Sequence, residues 1–308
     1  MDSRLRGNDG RDSGNGGPER NMVSASSILF TPERRLRAVW RILIFVAIAF
    51  ATTIVAVIIE GLVTRLATSM GYRLLVSQWS LALGLLLAHL VVLKWVDGKS
   101  WDFVGLDAHA GRPALLVQGT ILGALSIGVP SVILLLTGQL DAQPSASGSS
   151  LAAAGISLGN LLPAAFSEEL LLRGYVFAVL WQAVGWRWTL VSTSVVFGLL
   201  HIPNPGASGL SVLLVMLAGM FLGATLIATR SLYAATLAHF AWNWVMAAVL
   251  HAPVSGLPVM TPDYRVVDNG PDWLTGGKWG PEGGIAAALG MFVAMIYLYS
   301  RLLRRAER

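Results

Sequence analysis

Residues 188–229, WTLVSTSVVFGLLHIPNPGASGLSVLLVMLAGMFLGATLIAT, run for 42 positions without an Asp, Glu, Lys or Arg. As one helix, at about 1.5 Å per residue, the stretch would be about 63 Å long, twice the roughly 30 Å of a bilayer's hydrocarbon core. Pro203-Asn204-Pro205-Gly206 stands near its middle. Two prolines and a glycine end one helix and turn the chain into the next. The stretch therefore reads as a hairpin of two apolar helices.

Working outward, charge-free windows recur at 42–59, 74–93, 113–140, 142–167, 231–262 and 283–300. Of the 308 residues 55% are hydrophobic and only 13% charged, against about 25% charged in ordinary soluble domains. A third of the charges, 13 of 39, lie in residues 1–41. A soluble globular enzyme is excluded by this distribution. The fold class it predicts is all-α, a polytopic membrane protein of eight transmembrane helices at 38–60, 74–95, 113–137, 157–182, 187–202, 207–229, 232–251 and 283–302.

Residues 1–22 are rich in Gly, Asn, Asp and Arg and nearly devoid of apolar side chains, so they cannot bury a core and read as disorder. Residues 1–33 are taken as an N-terminal tail, with Met22 a candidate true start, and 34–308 as the integral membrane domain. The net charge of +5 does not point to nucleic acid, because the basic residues flank apolar segments instead of forming a continuous face. Arg34 to Arg41, Lys94, Lys99, Arg112, Arg187, Arg230 and Arg301 to Arg308 fall on one side of an eight-crossing chain. By the positive-inside rule both termini are cytoplasmic, in a cell membrane of bacterial type. With no cysteine, disulfides, thiolate catalysis and cysteine-ligated metals are excluded.

Ionisable groups within a bilayer cost on the order of 2.5–3.5 kcal/mol each at a helix centre, so those present need a reason. The densest cluster is Ser167-Glu168-Glu169-Leu170-Leu171-Leu172-Arg173, in the predicted fourth helix. Glu169 and Arg173 are i and i+4 and can pair on one face. Glu168 lies about 100° around the helix from that face. An unpaired, desolvated carboxylate binds a proton more readily than one in water, which suits a general base. Phe197-Gly198-Leu199-Leu200-His201 ends the fifth helix, and His239-Phe240-Ala241-Trp242-Asn243 puts an imidazole and a carboxamide on one face of the seventh. Counted from the helix ends at about 1.5 Å per residue, Glu168, His201 and Asn243 reach similar depths of roughly 18–21 Å, and His239 roughly 12 Å. The site is expected between helices 4, 5 and 7.

Two chemistries use such a set. In the first, Glu168 helped by His201 deprotonates a water that attacks a peptide carbonyl, while His239 and Asn243 donate to the developing oxyanion. In the second, Glu168, His201 and His239 hold a divalent metal such as zinc. The absence of a His-Glu-x-x-His signature ranks the metal lower, so no cofactor is expected.

These residues resemble the CAAX protease and bacteriocin-processing (CPBP, or Abi) family of intramembrane proteases, which includes the type II CAAX prenyl endopeptidases. The family pattern is Glu-Glu-x-x-x-Arg, Phe-x-x-x-His and His-x-x-x-Asn. All three occur here in order, within a core of about 157–251. The resemblance implies that Glu168 is the catalytic carboxylate, His201 its partner, and His239 and Asn243 the oxyanion stabilisers. Glu169, Arg173 and Phe197 would support them. It fixes no substrate and leaves the metal open; the expected function is hydrolysis of a peptide or membrane-protein substrate. The other readings are a membrane scaffold or immunity-type protein binding a peptide in the same pocket, and a small-solute transporter. Lack of duplicated broken helices argues against the transporter.

Elsewhere, His89 and His251 read as core or interfacial residues, and Glu60 as closing the first apolar run. Gly219-x-x-x-Gly223 reads as a close helix contact. The Pro/Gly-punctuated loop 252–282 reads as a surface linker, with a lid or entry element as the alternative.

Overall fold

Side-chain caps from Ser149, Ser208 and Ser231 open three of the helices, and Gly98 and Gly174 end two. The computed structural model describes residues 28–33, 35–71 and 79–306, with side chains to residue 300. Disorder of residues 1–22, and a helix start at 74, concern positions outside the described residues.

Helix α1, Ala38–Ser69, has 32 residues and is about 48 Å long at about 1.5 Å per residue. It continues through Glu60, which therefore lies inside the helix and does not close it. Phe50, Leu62 and Leu66 stand exposed along it, an arrangement that water penalises and lipid does not. Helix α2, Trp79–Val91, runs into a π turn at Val92–Asp97 and stops at Gly98, in the left-handed region at φ 58°. Asp97 there pairs with Arg41 of α1 at 2.5 Å and accepts from Tyr175 Oη at 2.7 Å.

Helix α3, Pro113–Leu136, starts on a proline, which lacks only an N–H the first turn leaves unpaired. Strand β1, Leu140–Pro144, pairs antiparallel with β2, Tyr264–Asp268, with Leu140 opposite Asp268. The fold is all-helical as expected, and this short two-stranded ribbon is its one addition among the described residues. Each strand has five residues and lies in a polar loop whose Pro, Gly and Ser content reads only as turns.

Helix α4, Ser150–Arg173, is capped by Ser149, whose side chain accepts from Ala152 N at 3.2 Å. The expected fourth helix continued to 182. The chain instead breaks at Gly174, where a Cβ would sit 2.3 Å from His89 Nε2. His89 is fully buried and accepts from Tyr175 N–H at 3.0 Å, satisfying a donor that the break frees. This explains the core reading of His89. Helix α5, Tyr175–Leu200, takes in the expected fifth helix and kinks at Gly185, φ 81°. Helix α6, Gly209–Thr229, opens on a Ser208–Ser211 capping box. Helix α7, Leu232–Trp244, is capped by Ser231 and ends in a π turn at Val245–Val249. Helix α8 is Ile285–Ala306.

Five helical segments among the described residues are long and apolar enough to cross a membrane: α1, α2 with its π turn, α3, the α4–α5 run and α6. Ile285–Ser300 of α8 is a shorter apolar helix. Apolar residues of α3, α6, α7 and α8 form one core around Trp242 and Met246; those of α1, α2 and α5 form a second around Phe45 and Tyr175.

Candidate functional site

Gly119 and Gly123 of α3 let α7 approach until a Cβ would stand 2.2 Å from Ala234 O and 1.9 Å from Ala238 O. That small-residue contact fixes the turn of α7 that carries His239. Across the site, Gly219 of α6 packs on α5, where a Cβ would meet Ser194 Cα at 2.9 Å. The close-packing reading of Gly219 holds. In addition, the Gly219 carbonyl accepts from Arg173 Nη2 at 3.3 Å.

Glu169 and Arg173 are fully buried and pair at 3.1 Å, as their spacing predicts. The same Glu169 oxygen, Oε1, accepts from His239 Nδ1 at 3.0 Å. The pair thus does more than neutralise charge in an apolar setting, because it fixes the orientation of the His239 ring. Spacing along one helix could not reveal this contact, which spans 70 residues.

Phe197 packs centrally between the same groups. Its carbonyl faces His201 Nδ1 at 2.8 Å, and since a carbonyl only accepts, Nδ1 carries the hydrogen. Its ring meets His201 and His239 edge-on at 4.8 and 5.8 Å, and the Arg173 guanidinium lies 4.2 Å from its centroid.

With both Nδ1 atoms engaged, both imidazoles turn Nε2 towards Glu168. Glu168 Oε2 lies 4.0 Å from His201 Nε2 and 3.9 Å from His239 Nε2. That oxygen is buried and makes no hydrogen bond. The three helices expected to converge therefore do so, although α4 ends at Arg173 and the depth count taken from residue 182 does not apply. Asn243 lines a cavity of about 30 Å³ together with His201, His239, Phe197, Ser255 and Glu282, enough for a water molecule. Glu168 borders a separate apolar groove of about 280 Å³ between α1, α2 and α4, lined by Val46, Phe50, Leu81, Leu85 and Leu171.

Zinc takes imidazole and carboxylate ligands at about 2.0–2.2 Å. Among the described residues no group of three or more His, Asp or Glu side chains is arranged to hold a metal ion.

The loop expected as a surface linker keeps Leu257, Met260 and Trp273 exposed but buries Ala252, Val254 and its end, Trp279 to Glu282, against the site. Trp279 is 1% exposed, and Glu282 reaches the cavity that His201 and His239 line. His251 is buried, its ring stacked on Tyr264 and its Nδ1 facing Tyr264 O at 2.8 Å, which agrees with a core residue.

Residues 150–245 match the family model described as Type II CAAX prenyl endopeptidase Rce1-like. The matched stretch carries Glu168, Glu169, Arg173, His201, His239 and Asn243, and it supports the family recognised from the three motifs. That family is one of proteases. Among curated proteins and solved structures nothing matches the chain.

Proposed function

We propose that this chain is an intramembrane endopeptidase that hydrolyses a peptide bond of a membrane-associated peptide or protein with a glutamate-activated water. The observation that carries the reading is the direction of two imidazoles, each held at Nδ1 and each turning Nε2 to the unbonded Oε2 of Glu168. A water between Glu168 and His201 loses a proton to the carboxylate as its oxygen attacks the carbonyl carbon. The carbonyl oxygen becomes an oxyanion, to which Asn243 Nδ2 and His239 Nε2 donate. His239 donates from Nε2 as an imidazolium, with its Nδ1–H on Glu169 and its charge between two carboxylates. Glu168 then passes its proton to the departing amine nitrogen, so protons balance and no covalent enzyme intermediate forms.

The apolar groove bordering Glu168 suits an apolar substrate segment arriving from lipid. Eight crossings, with both termini cytoplasmic and the site within a bacterial cytoplasmic membrane, complete the proposal. The test compares protein termini across the membrane proteome of cells carrying wild type or Glu168→Gln at matched levels. New termini found only with wild type are expected. Identical termini in both strains, with any phenotype retained by Glu168→Gln, would overturn proteolysis in favour of a peptide-binding scaffold. Cleavage should also survive EDTA; loss restored by Zn²⁺ would replace the metal-free mechanism.

A further inference from the structure

The segment from Ala252 to Glu282 folds more tightly than a linker. Gly256 lies in the left-handed region at φ 76°, and a Cβ there would stand 2.0 Å from Pro205 O, in the turn that follows His201. Gly280, at φ 100°, comes as close to Pro253 O, at 2.1 Å. No side-chain-bearing residue permits such approaches, so the segment is stacked on itself and on that turn.

At its end Glu282, 8% exposed, gathers three donors. Trp242 Nε1 donates to Oε2 at 2.7 Å, while Ser255 N–H and Oγ–H donate to Oε1 at 2.5 and 2.7 Å. The Ser255 carbonyl in turn accepts from Asn204 Nδ2 at 2.9 Å. Asn204 is three residues after His201, and Trp242 lies between His239 and Asn243 in α7. One chain of hydrogen bonds therefore joins both histidine-bearing elements through the loop. Only an acceptor without hydrogens of its own serves three converging donors, which singles out a carboxylate over an amide.

We infer that Glu282 latches residues 252–283 as a cap that forms one wall of the cavity between His201, His239 and Asn243, keeping that cavity water-sized and fixing the face of α7 that presents Asn243. The effect on Asn243 rests on the proposed reaction. The latch itself does not, and its test reads access to the cavity instead of cleavage.

The chain has no cysteine, so Ala218→Cys, in α6 on the cavity wall, introduces a single thiol. Its rate with a positively charged methanethiosulfonate is measured on the purified full chain, with Ser147→Cys, an exposed position, as the reference. The Ala218→Cys thiol should react at least 10-fold more slowly than the reference. Adding Glu282→Gln or Trp242→Phe should raise its rate at least 10-fold, and adding both should raise it no further. Trp242→Phe removes one N–H and keeps a ring, so it still tests the latch should Glu282→Gln fail to fold. Three results would overturn the latch: an Ala218→Cys rate equal to the reference, no change in either variant, or effects of the two that multiply. Proteolysis can fail its own test while this result stands.

Discussion

Phe197 accounts for an aromatic residue placed four positions before His201. The backbone bond from His201 survives any substitution there, but the contacts to both imidazoles and to Arg173 are made by the ring. Phe197→Leu should therefore lower production of the wild-type-specific termini by about 10-fold, in line with about 0.5–1.5 kcal/mol for an aromatic pair. His201→Gln, which removes the proposed acid–base partner, should lower it by about 10²–10⁴-fold. Equal losses in the two would give the ring as much weight as the imidazole and overturn the acid–base role of His201. The buried Glu169–Arg173 pair carries a stability prediction of its own. Arg173→Met leaves the Glu169 carboxylate buried beside Glu168 without its cation and should cost about 3–5 kcal/mol. Adding Glu169→Gln removes the stranded charge and should recover a substantial part of that loss in thermal unfolding of the detergent-solubilised chain. A double variant that is no more stable than Arg173→Met would show that Arg173 acts through Gly219 and Phe197 instead.

Between elements, stability at the site depends on how closely backbones approach. A Cβ on Gly123 would stand 1.9 Å from Ala238 O, next to His239, whereas one on Gly61 of α1 meets nothing within 4 Å. Gly123→Ala should therefore lower the unfolding temperature by the equivalent of about 1–3 kcal/mol. Gly61→Ala should leave it unchanged or raise it slightly, since Ala favours a helix by about 1 kcal/mol over Gly. A reversed ranking would mean that α3 and α7 are free to separate. The same distinction explains what was legible in the sequence. Charge-free windows give the helices, and i, i+4 spacing gives the Glu169–Arg173 pair and the shared face of His239 and Asn243, because both signals are local. The break at Gly174 depends on His89, 85 positions earlier, and a single glycine in an apolar run carries no mark of it. Glu282 was illegible for a similar reason. Its three donors come from Trp242 and Ser255, across a loop whose glycines announce turns but not what the turns pack against.

At the scale of the whole molecule, contacts among the described residues sort the connecting segments into two sets. At one end Arg41 pairs with Asp97, Gln182 Oε1 accepts from Arg41, Leu232 N–H bonds Gly105 O, and Ser231 Oγ bonds Ala110 O. At the other, β1 pairs with β2 and Asn204 bonds Ser255 O. The first end holds the start of α1, the α2–α3 loop and the α6–α7 turn, with Arg41, Lys94, Lys99, Arg112 and Arg230; the second holds the loops around the sheet and the cap. Positive charge near membrane-spanning ends favours the cytoplasmic side, so the first end should face inward and the cap outward. In intact cells a membrane-impermeant maleimide should label Ser147→Cys, beside β1, and leave Lys99→Cys unlabelled until the cells are opened. The opposite pattern would keep the two ends and invert the protein in the membrane. Labelling of both in intact cells would break the alternation itself, since it would put both ends of the bundle on one side of the bilayer and leave α3, 24 apolar-rich residues long, without a crossing to make.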